Sequence, residues 1–411
     1  MLSRLLCRIV CVGTLASVAT FAAEEPADIV AWEAFMNAAR DTGTAFLREH
    51  PQGNEKDRAE ALLYLTQQLS SGVQQTLAAA DTALPLLRVG ATNINKWGLD
   101  SADARYLGAA LQDDASYRLS GTLGSAKLTA VQVVTDYPQY RAHASLSGRD
   151  LQADSAGRFE VHLGRTPSEG WNGPWLPLPE GANRLVVREY FGDWSQEHPG
   201  AWTLERLDQE NMTPSDRVSP ALVADQLEEI VALFTYRLAV WMPWLAKTRS
   251  ERLNTLQQLS PGGQGLLNNV YGEGWFSLDS DEVLLIVLEA PEADLWSLQL
   301  GNLWWESLEY IHRTGSINGD QAIADPDGLY RIVVAPSDPG YANWLDTGGR
   351  EEGAMMYRFL NSLNAPVPLV LRLSTSELQQ HMPANAALIS AEERTGQIAL
   401  RRQHVLKRWA P

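Results

Sequence analysis

Two arginines, Arg188 and Arg358, each interrupt an apolar run: Val186-Val187-Arg188-Glu189-Tyr190-Phe191 and Met356-Tyr357-Arg358-Phe359-Leu360. A guanidinium in such surroundings needs a carboxylate or several carbonyls as partners, and Asp346 and Glu180 are the acids expected to supply them. The alternative is an anion site, in which the planar fork grips a carboxylate or phosphate of a ligand. A second group of reactive types lies between Trp304 and Asn318. His312, in Glu309-Tyr310-Ile311-His312-Arg313, could share a cleft with Glu306, Tyr310 and Asp346 as general acid and base groups. The competing reading is a solvated histidine at a strand end. Adjacent strand residues face opposite sides, so one of Trp304 and Trp305 is expected to leave the core and offer a stacking platform. Trp304, Trp305, Asn318 and Arg358 are the candidate ligand-binding residues.

Other chemistries are poorly represented. Asp325-Pro326-Asp327-Gly328, with Asp320 and Asn318 nearby, offers oxygen ligands, but it lacks the spacing and the distal bidentate Glu of a helix-loop-helix calcium site. Asp-Gly ahead of a strand is ordinary turn chemistry, and no metal is expected. No histidine pair has zinc-helix spacing, and no Gly-x-Ser-x-Gly elbow occurs. Gly262-Gly263-Gln264-Gly265 lacks both the Lys-Ser/Thr of a phosphate loop and dinucleotide-turn spacing. No cofactor is indicated, and whether the protein is an enzyme stays open.

The elements that must position these residues recur. Asp154-Ser155-Ala156-Gly157-Arg158-Phe159-Glu160-Val161 leads to Trp175-Leu176 and then to Arg188; Asp325-Pro326-Asp327-Gly328-Leu329-Tyr330-Arg331-Ile332 leads to Trp344-Leu345 and then to Arg358. Trp175 and Trp344, as duplicated residues, read as packing anchors rather than ligand platforms. Short alternating runs such as Phe159 to Leu163, Arg184 to Val187, Val283 to Leu288 and Tyr330 to Val334 read as strands of a sandwich or barrel. Amphipathic spacing predicts helices over Ile29 to Arg48 and Glu55 to Ala80, forming a hairpin. A third helix opens at Ser219-Pro220 and runs to Trp241, where Pro243 ends or kinks it before another from about Ser250 to Leu259.

The resulting division is a signal peptide over 1–22, a helical hairpin over 23–90, a first β domain over 91–210, central helices over 217–260, a second β domain over 270–375 and a tail over 376–411. The fold class is α+β, with two related antiparallel β-sandwich or jelly-roll-like domains. Arg4 and Arg8, the apolar stretch from Ile9 to Phe21 and small residues Ala22 and Ala23 read as an export signal cleaved after Ala22. That places the protein in the periplasm or outside the cell, with no stable membrane span once the signal is gone. Both cysteines, Cys7 and Cys11, lie within it, so the remainder has no disulfide or thiolate chemistry. A formal charge of −17 disfavours nucleic acid as a partner. The basic end, Arg401-Arg402 through Lys407-Arg408-Trp409, reads as a solvated tail, with contact to an anionic membrane as the alternative.

Four segments, Leu295-Trp296-Ser297-Leu298-Gln299-Leu300, Trp305-Glu306-Ser307-Leu308-Glu309-Tyr310, Asp325-Pro326-Asp327-Gly328 and Asn343-Trp344-Leu345-Asp346, follow an order that resembles a bacterial family of unknown function, the DUF1214 type. Trp175 to Ala182 and Phe191-Gly192-Asp193-Trp194 are similar to the N-terminal part of its longer relatives. The resemblance covers roughly 90 to 375 and implies a β-rich fold, but no activity and no catalytic residue. Duplicated domains create clefts, and ligand pockets favour domain interfaces. The reading is therefore an exported protein that binds a small organic or carbohydrate ligand between its two β domains. The alternatives are an enzyme of unfamiliar type acting on a small polar or lipid-like substrate, and an envelope structural or interaction protein. Oligomeric state is not legible.

Overall fold

The computed structural model describes residues 25–51, 54–79, 84–136, 140–208, 219–259 and 269–409. The expected signal over 1–22 and the Gly262–Gly265 run lie outside them. Two helices come first, α1 (Ala27–Glu49) and α2 (Glu55–Ala79). The first sandwich comprises β1 (Arg88–Val89), β2 (Ala104–Ala110), β3 (Tyr117–Thr122), β4 (Leu128–Thr135), β5 (Arg141–Ser147), β6 (Arg158–Gly164), β7 (Trp175–Pro177), β8 (Arg184–Tyr190) and β9 (Ala201–Arg206). Helices α3 (Pro220–Ala239) and α4 (Met242–Glu251) lead into the second. It comprises β10 (Leu256–Gln258), β11 (Val270–Ser277), β12 (Glu282–Glu289), β13 (Leu295–Gly301), β14 (Ser316–Asn318), β15 (Leu329–Ala335), β16 (Trp344–Asp346), β17 (Glu352–Leu360) and β18 (Leu369–Ser374). Helices α5 (Leu378–His381) and α6 (Ala391–Arg408) end the chain.

The duplication expected from sequence extends to every strand. Sheet orders β1-β2-β8-β4-β5 and β7-β6-β3-β9 in the first sandwich become β10-β11-β17-β13-β14 and β16-β15-β12-β18 in the second. Even the exception to antiparallel pairing recurs, since β6 with β7 and β15 with β16 are parallel. Alternation explains the cores. Leu107, Val131, Val133, Leu185 and Val187 of one sheet meet Leu119, Val161 and Leu163 of the other. Leu298, Leu300, Met355 and Phe359 meet Leu284, Ile286 and Ile332 in the second copy. The Asp-Gly elements are turns in both: Gly157 and Gly328 take φ of +76° and +81° and donate to the Asp154 and Asp325 carbonyls at 2.9 and 2.8 Å. Asp325 and Asp327 bind Arg331. Among the described residues no acidic or histidine cluster is arranged for a metal.

Three expectations are corrected. Helix α4 starts at Met242, with Pro243 in its first turn where the missing N–H costs nothing. Leu256–Gln258, expected to be helical, pairs instead with β11. The basic end is not a solvated tail: α6 is closed by a Ser390/Glu393 capping box and buries Arg394, Arg401, His404 and Arg408. Arg408 Nη1 donates to the Ala102 carbonyl at 2.6 Å, and Arg401 Nη1 to that of Tyr310 at 3.1 Å. Both guanidiniums stack on Trp194. Helix α6 therefore straps the two sandwiches together. No helix among the described residues is long and apolar enough to cross a membrane.

Helices α1 and α2 pack chiefly on α3, through Phe46, Ala61, Tyr64, Phe234 and Leu238. Ser219 caps α3, its Oγ accepting from the Leu222 amide at 3.2 Å. Arg237, which breaks the apolar face of α3 in sequence, is buried and donates from Nε to Gln68 Oε1 at 2.8 Å.

Candidate functional site

In each sandwich the inner face of the five-stranded sheet is apolar, so its alternate residues point outward, and the two outward faces confront one another. They touch through Ala104, Leu128, Ala130 and Tyr190 of the first copy and Leu295 and Leu360 of the second. Beside that contact lies a cavity of about 510 Å³, roofed by α2, α3 and α4. Its size is that of an ordinary small-molecule site, which holds roughly 300 to 1,000 Å³. A smaller lobe of about 270 Å³ continues it past Gln75, Asn95 and Arg184.

The walls repeat one constellation. Tyr106 stands opposite Arg188 across β2 and β8, and Tyr271 stands opposite Arg358 across β11 and β17. On the next strand, Gln132 and Gln299 hold equivalent registers, facing Val186 and Met356. Each Gln accepts a hydrogen bond from its arginine: Arg188 Nη1 donates to Gln132 Oε1, and Arg358 Nη1 to Gln299 Oε1 at 3.0 Å. Both arginines, both tyrosines, Tyr140 and Tyr190 line the cavity.

The remaining walls include four indoles. Trp97, Trp241, Trp244 and Trp305 line the helix side. Trp97 and Trp241 lie 5.4 Å apart, and Arg237 sits 4.5 Å above the Trp97 ring. Trp244 Nε1 donates to buried Glu273, which Arg252 and Thr248 also bind, so α4 is anchored to β11. Trp241 Nε1 has no partner among the described residues. The rim is strained: Leu99 and Trp305 have φ of +48° and +58°, and the Leu99 amide donates to the Trp305 carbonyl at 2.6 Å. Non-glycine residues hold that conformation at a cost of roughly 1–3 kcal/mol each, and they cluster at ligand sites.

Charge sets the chemistry. Asp136 is paired with Arg184 at 2.9 Å, and Asp100 is held by Ser307 Oγ at 3.0 Å. Among the described residues no carboxylate lies within ion-pair distance of Arg188, Arg237 or Arg358. The expected partner Asp346 binds Arg313 instead, at 2.7 Å, and Glu180 is exposed. Burial pulls the Arg237 guanidinium down to about 10, which still leaves it cationic at neutral pH. Three guanidiniums outside any direct ion pair thus converge on one cavity of a chain whose formal charge is −17.

Of the sequence candidates, Arg358 and Trp305 reach the cavity. Trp304 and Trp305 occupy a turn rather than a strand, and both are buried, so neither is an exposed platform. Trp304 stacks on Tyr64 at 5.8 Å and packs on Phe46 under α1 and α2. Asn318 is fully buried and donates to Asp103 Oδ1 at 2.6 Å, joining the two sandwiches. His312 is exposed, whereas Glu306, Tyr310 and Asp346 are buried. No hydrogen bond between described residues joins His312 to Glu306 or to Arg358, so the acid-base cleft is not assembled. Glu306 accepts from Asn302 Nδ2 at 2.9 Å, its Oε1 has no partner among the described residues, and burial pushes its carboxyl up to about 7. Tyr106, Tyr140, Tyr190, Tyr271, Gln132 and Gln299 were not singled out from sequence. The signal available was Tyr106 and Tyr271 at matching places in the two copies.

An uncharacterised protein from Burkholderia cenocepacia has a similar structure, with 26% identity and a TM-score of 0.78 over 84% of this chain and 97% of that one. The VPA0106 protein from Vibrio parahaemolyticus aligns over 74% of this chain and 98% of its own, at 13% identity and a TM-score of 0.42. No curated protein matches. Residues 104–193 and 277–364 each match the family described as protein of unknown function DUF1214. The match to DUF1214 thus occurs twice, once in each sandwich.

Proposed function

We propose that this is a binding protein for a small organic anion with a flat, aromatic or apolar body, held between the two sandwiches. The observation that carries the reading is the convergence of Arg188, Arg237 and Arg358 on one cavity with no carboxylate of the described residues within ion-pair distance of them. A buried cation without a directly paired counter-charge is costly, and an arriving carboxylate, sulfonate or phosphate offsets that cost while gaining charge-assisted hydrogen bonds. The indoles and phenols supply faces for the body of the ligand. A neutral sugar fits less well, because its hydroxyls need acceptors and the two cavity carboxylates are already engaged by Arg184 and Ser307. The dispersed positions of His312 and Glu306 favour binding over catalysis. The signal-like residues 1–22 support a periplasmic or secreted setting.

A thermal-shift panel of matched compounds tests this: aryl carboxylates and sulfonates, their neutral amides, and neutral sugars. A ligand that prefers the native state raises the midpoint by mass action, about 2.7 kcal/mol at a hundred times its Kd. The anions are expected to raise it and their amides are not. Equal shifts from amides, or silence from every anion, contradicts the reading.

A further inference from the structure

The two arginines descend from one duplicated position, yet they are held differently. Arg358 donates from Nη1 to Gln299 and from Nη2 to the Leu99 carbonyl. Gln299 is locked in turn: its Nε2 donates to the Asp100 carbonyl at 2.6 Å, and its Oε1 accepts from the Ala102 amide at 3.1 Å. Leu99, Asp100 and Ala102 belong to the segment entering β2, so the bonds to these three cross from the second sandwich to the first. Their acceptors and donors are largely backbone atoms, which cannot turn aside for a ligand. Arg358 is also the more enclosed, at 6% exposure.

Arg188 has no such anchorage. Its Nη1 donates to Gln132, and its Nη2 reaches Tyr140 Oη at 3.3 Å, the long end of a hydrogen bond. Both partners are side chains of its own sandwich, and its half-buried guanidinium opens on the cavity. Three phenols, of Tyr106, Tyr140 and Tyr190, lie within electrostatic range of it. Tyr106 Oη already accepts from the Ser101 amide at 3.2 Å, which leaves its own hydrogen to give. One guanidinium with uncommitted N–H groups and neighbouring hydroxyls is the donor set a single carboxylate or sulfonate requires.

We infer that duplication has divided the labour: Arg188 takes the anionic group of the ligand, while Arg358 is a positioning residue that straps the second wall to the first. The inference rests on the cavity being an anion site. It narrows the ligand to a flat organic molecule with one anionic head, directed at Arg188, whose body extends toward Met356 and the indoles of Trp241 and Trp305. Arg237, stacked on Trp97 and bonded to Gln68, stays with the helical roof.

The test uses anilinonaphthalene sulfonate and its neutral counterpart phenylnaphthylamine as fluorescent probes, with denaturant unfolding of each variant measured alongside. The full chain is expected to prefer the sulfonate by about tenfold or more, the scale of one charge-assisted hydrogen bond. Arg188→Gln is expected to erase that preference without lowering the unfolding midpoint. Arg188→Lys, which keeps the charge and loses the fork, is expected to retain part of it, and it serves as the readout if the Gln variant does not fold. Arg358→Gln is expected to lower the midpoint and to weaken both probes together, with Arg358→Lys restoring part of the midpoint. If Arg188→Gln keeps the preference while Arg358→Gln or Arg237→Gln loses it with an unchanged midpoint, the division of labour is wrong and the anion site stands. Equal affinity of the unaltered protein for both probes overturns the anion site itself.

Discussion

Glu306 offers a quantitative check on the buried junction beside the cavity. Its carboxyl is pushed up to about 7 by burial first, with Asp100 opposing its ionisation and Asn302, Lys96 and Arg237 favouring it. An ordinary glutamate titrates near 4.5, so the folded protein holds this proton over a range in which the unfolded chain has released it. Stability from this group is therefore complete below about pH 4.5, falls as pH rises, and levels off above about 7. At about 1.4 kcal/mol per pH unit, the interval amounts to about 3 kcal/mol. Glu306→Gln removes the titration, and its Oε1 can still accept from Asn302. Urea unfolding of both proteins between pH 4.5 and 8 should show the variant gaining on the wild type by up to about 3 kcal/mol toward the alkaline end. Taking the difference cancels the pH dependence of distant groups. Two curves that stay parallel across the range would falsify the assignment of a protonated, water-excluded Glu306.

Other perturbations separate strap, rim and cavity. Arg408→Ala removes a fully buried guanidinium from the Ala102 carbonyl and from Trp194, and it is expected to cost roughly 2–4 kcal/mol in calorimetric or denaturant unfolding; a cost near zero would restore the solvated tail. Gly98 has φ of +68°, and an added Cβ would meet the Trp241 ring at 3.4 Å. Gly98→Ala is therefore expected to lose about 1 kcal/mol or more of stability and to shift the tryptophan fluorescence of the roof. Trp241→Phe removes from the cavity wall a donor that no described residue engages and is expected to change the unfolding free energy by less than about 1 kcal/mol. If Nε1 serves the ligand, the same variant weakens the sulfonate probe; unchanged affinity assigns Trp241 to packing alone.

What could be read in the sequence was whatever repeats or alternates. The Asp-Gly turns, the equivalent arginines and the alternation of Phe159, Val161 and Leu163 state their roles locally, and the two sandwiches follow from them. Partners set by register could not be read: Gln132 and Gln299 reach their arginines from a neighbouring strand, and nothing in the linear chain aligns those strands. Trp304 and Trp305 read in sequence as adjacent strand residues, but the link between β13 and β14 is longer than its counterpart and turns at residues 303–305. The C-terminal helix misled for a related reason. Its arginines look solvated until the carbonyls of Ala102, Tyr310 and Ser316 are brought beneath them.

The most direct measurement of the central claim is a crystal structure of the protein with the tightest anion from the matched panel. The ligand is expected between the five-stranded sheets, with its anionic group within hydrogen-bond distance of Arg188 and its flat body against Met356 and the roof indoles. A ligand seated outside that cavity, or one turned so that a neutral edge faces Arg188, would contradict the account.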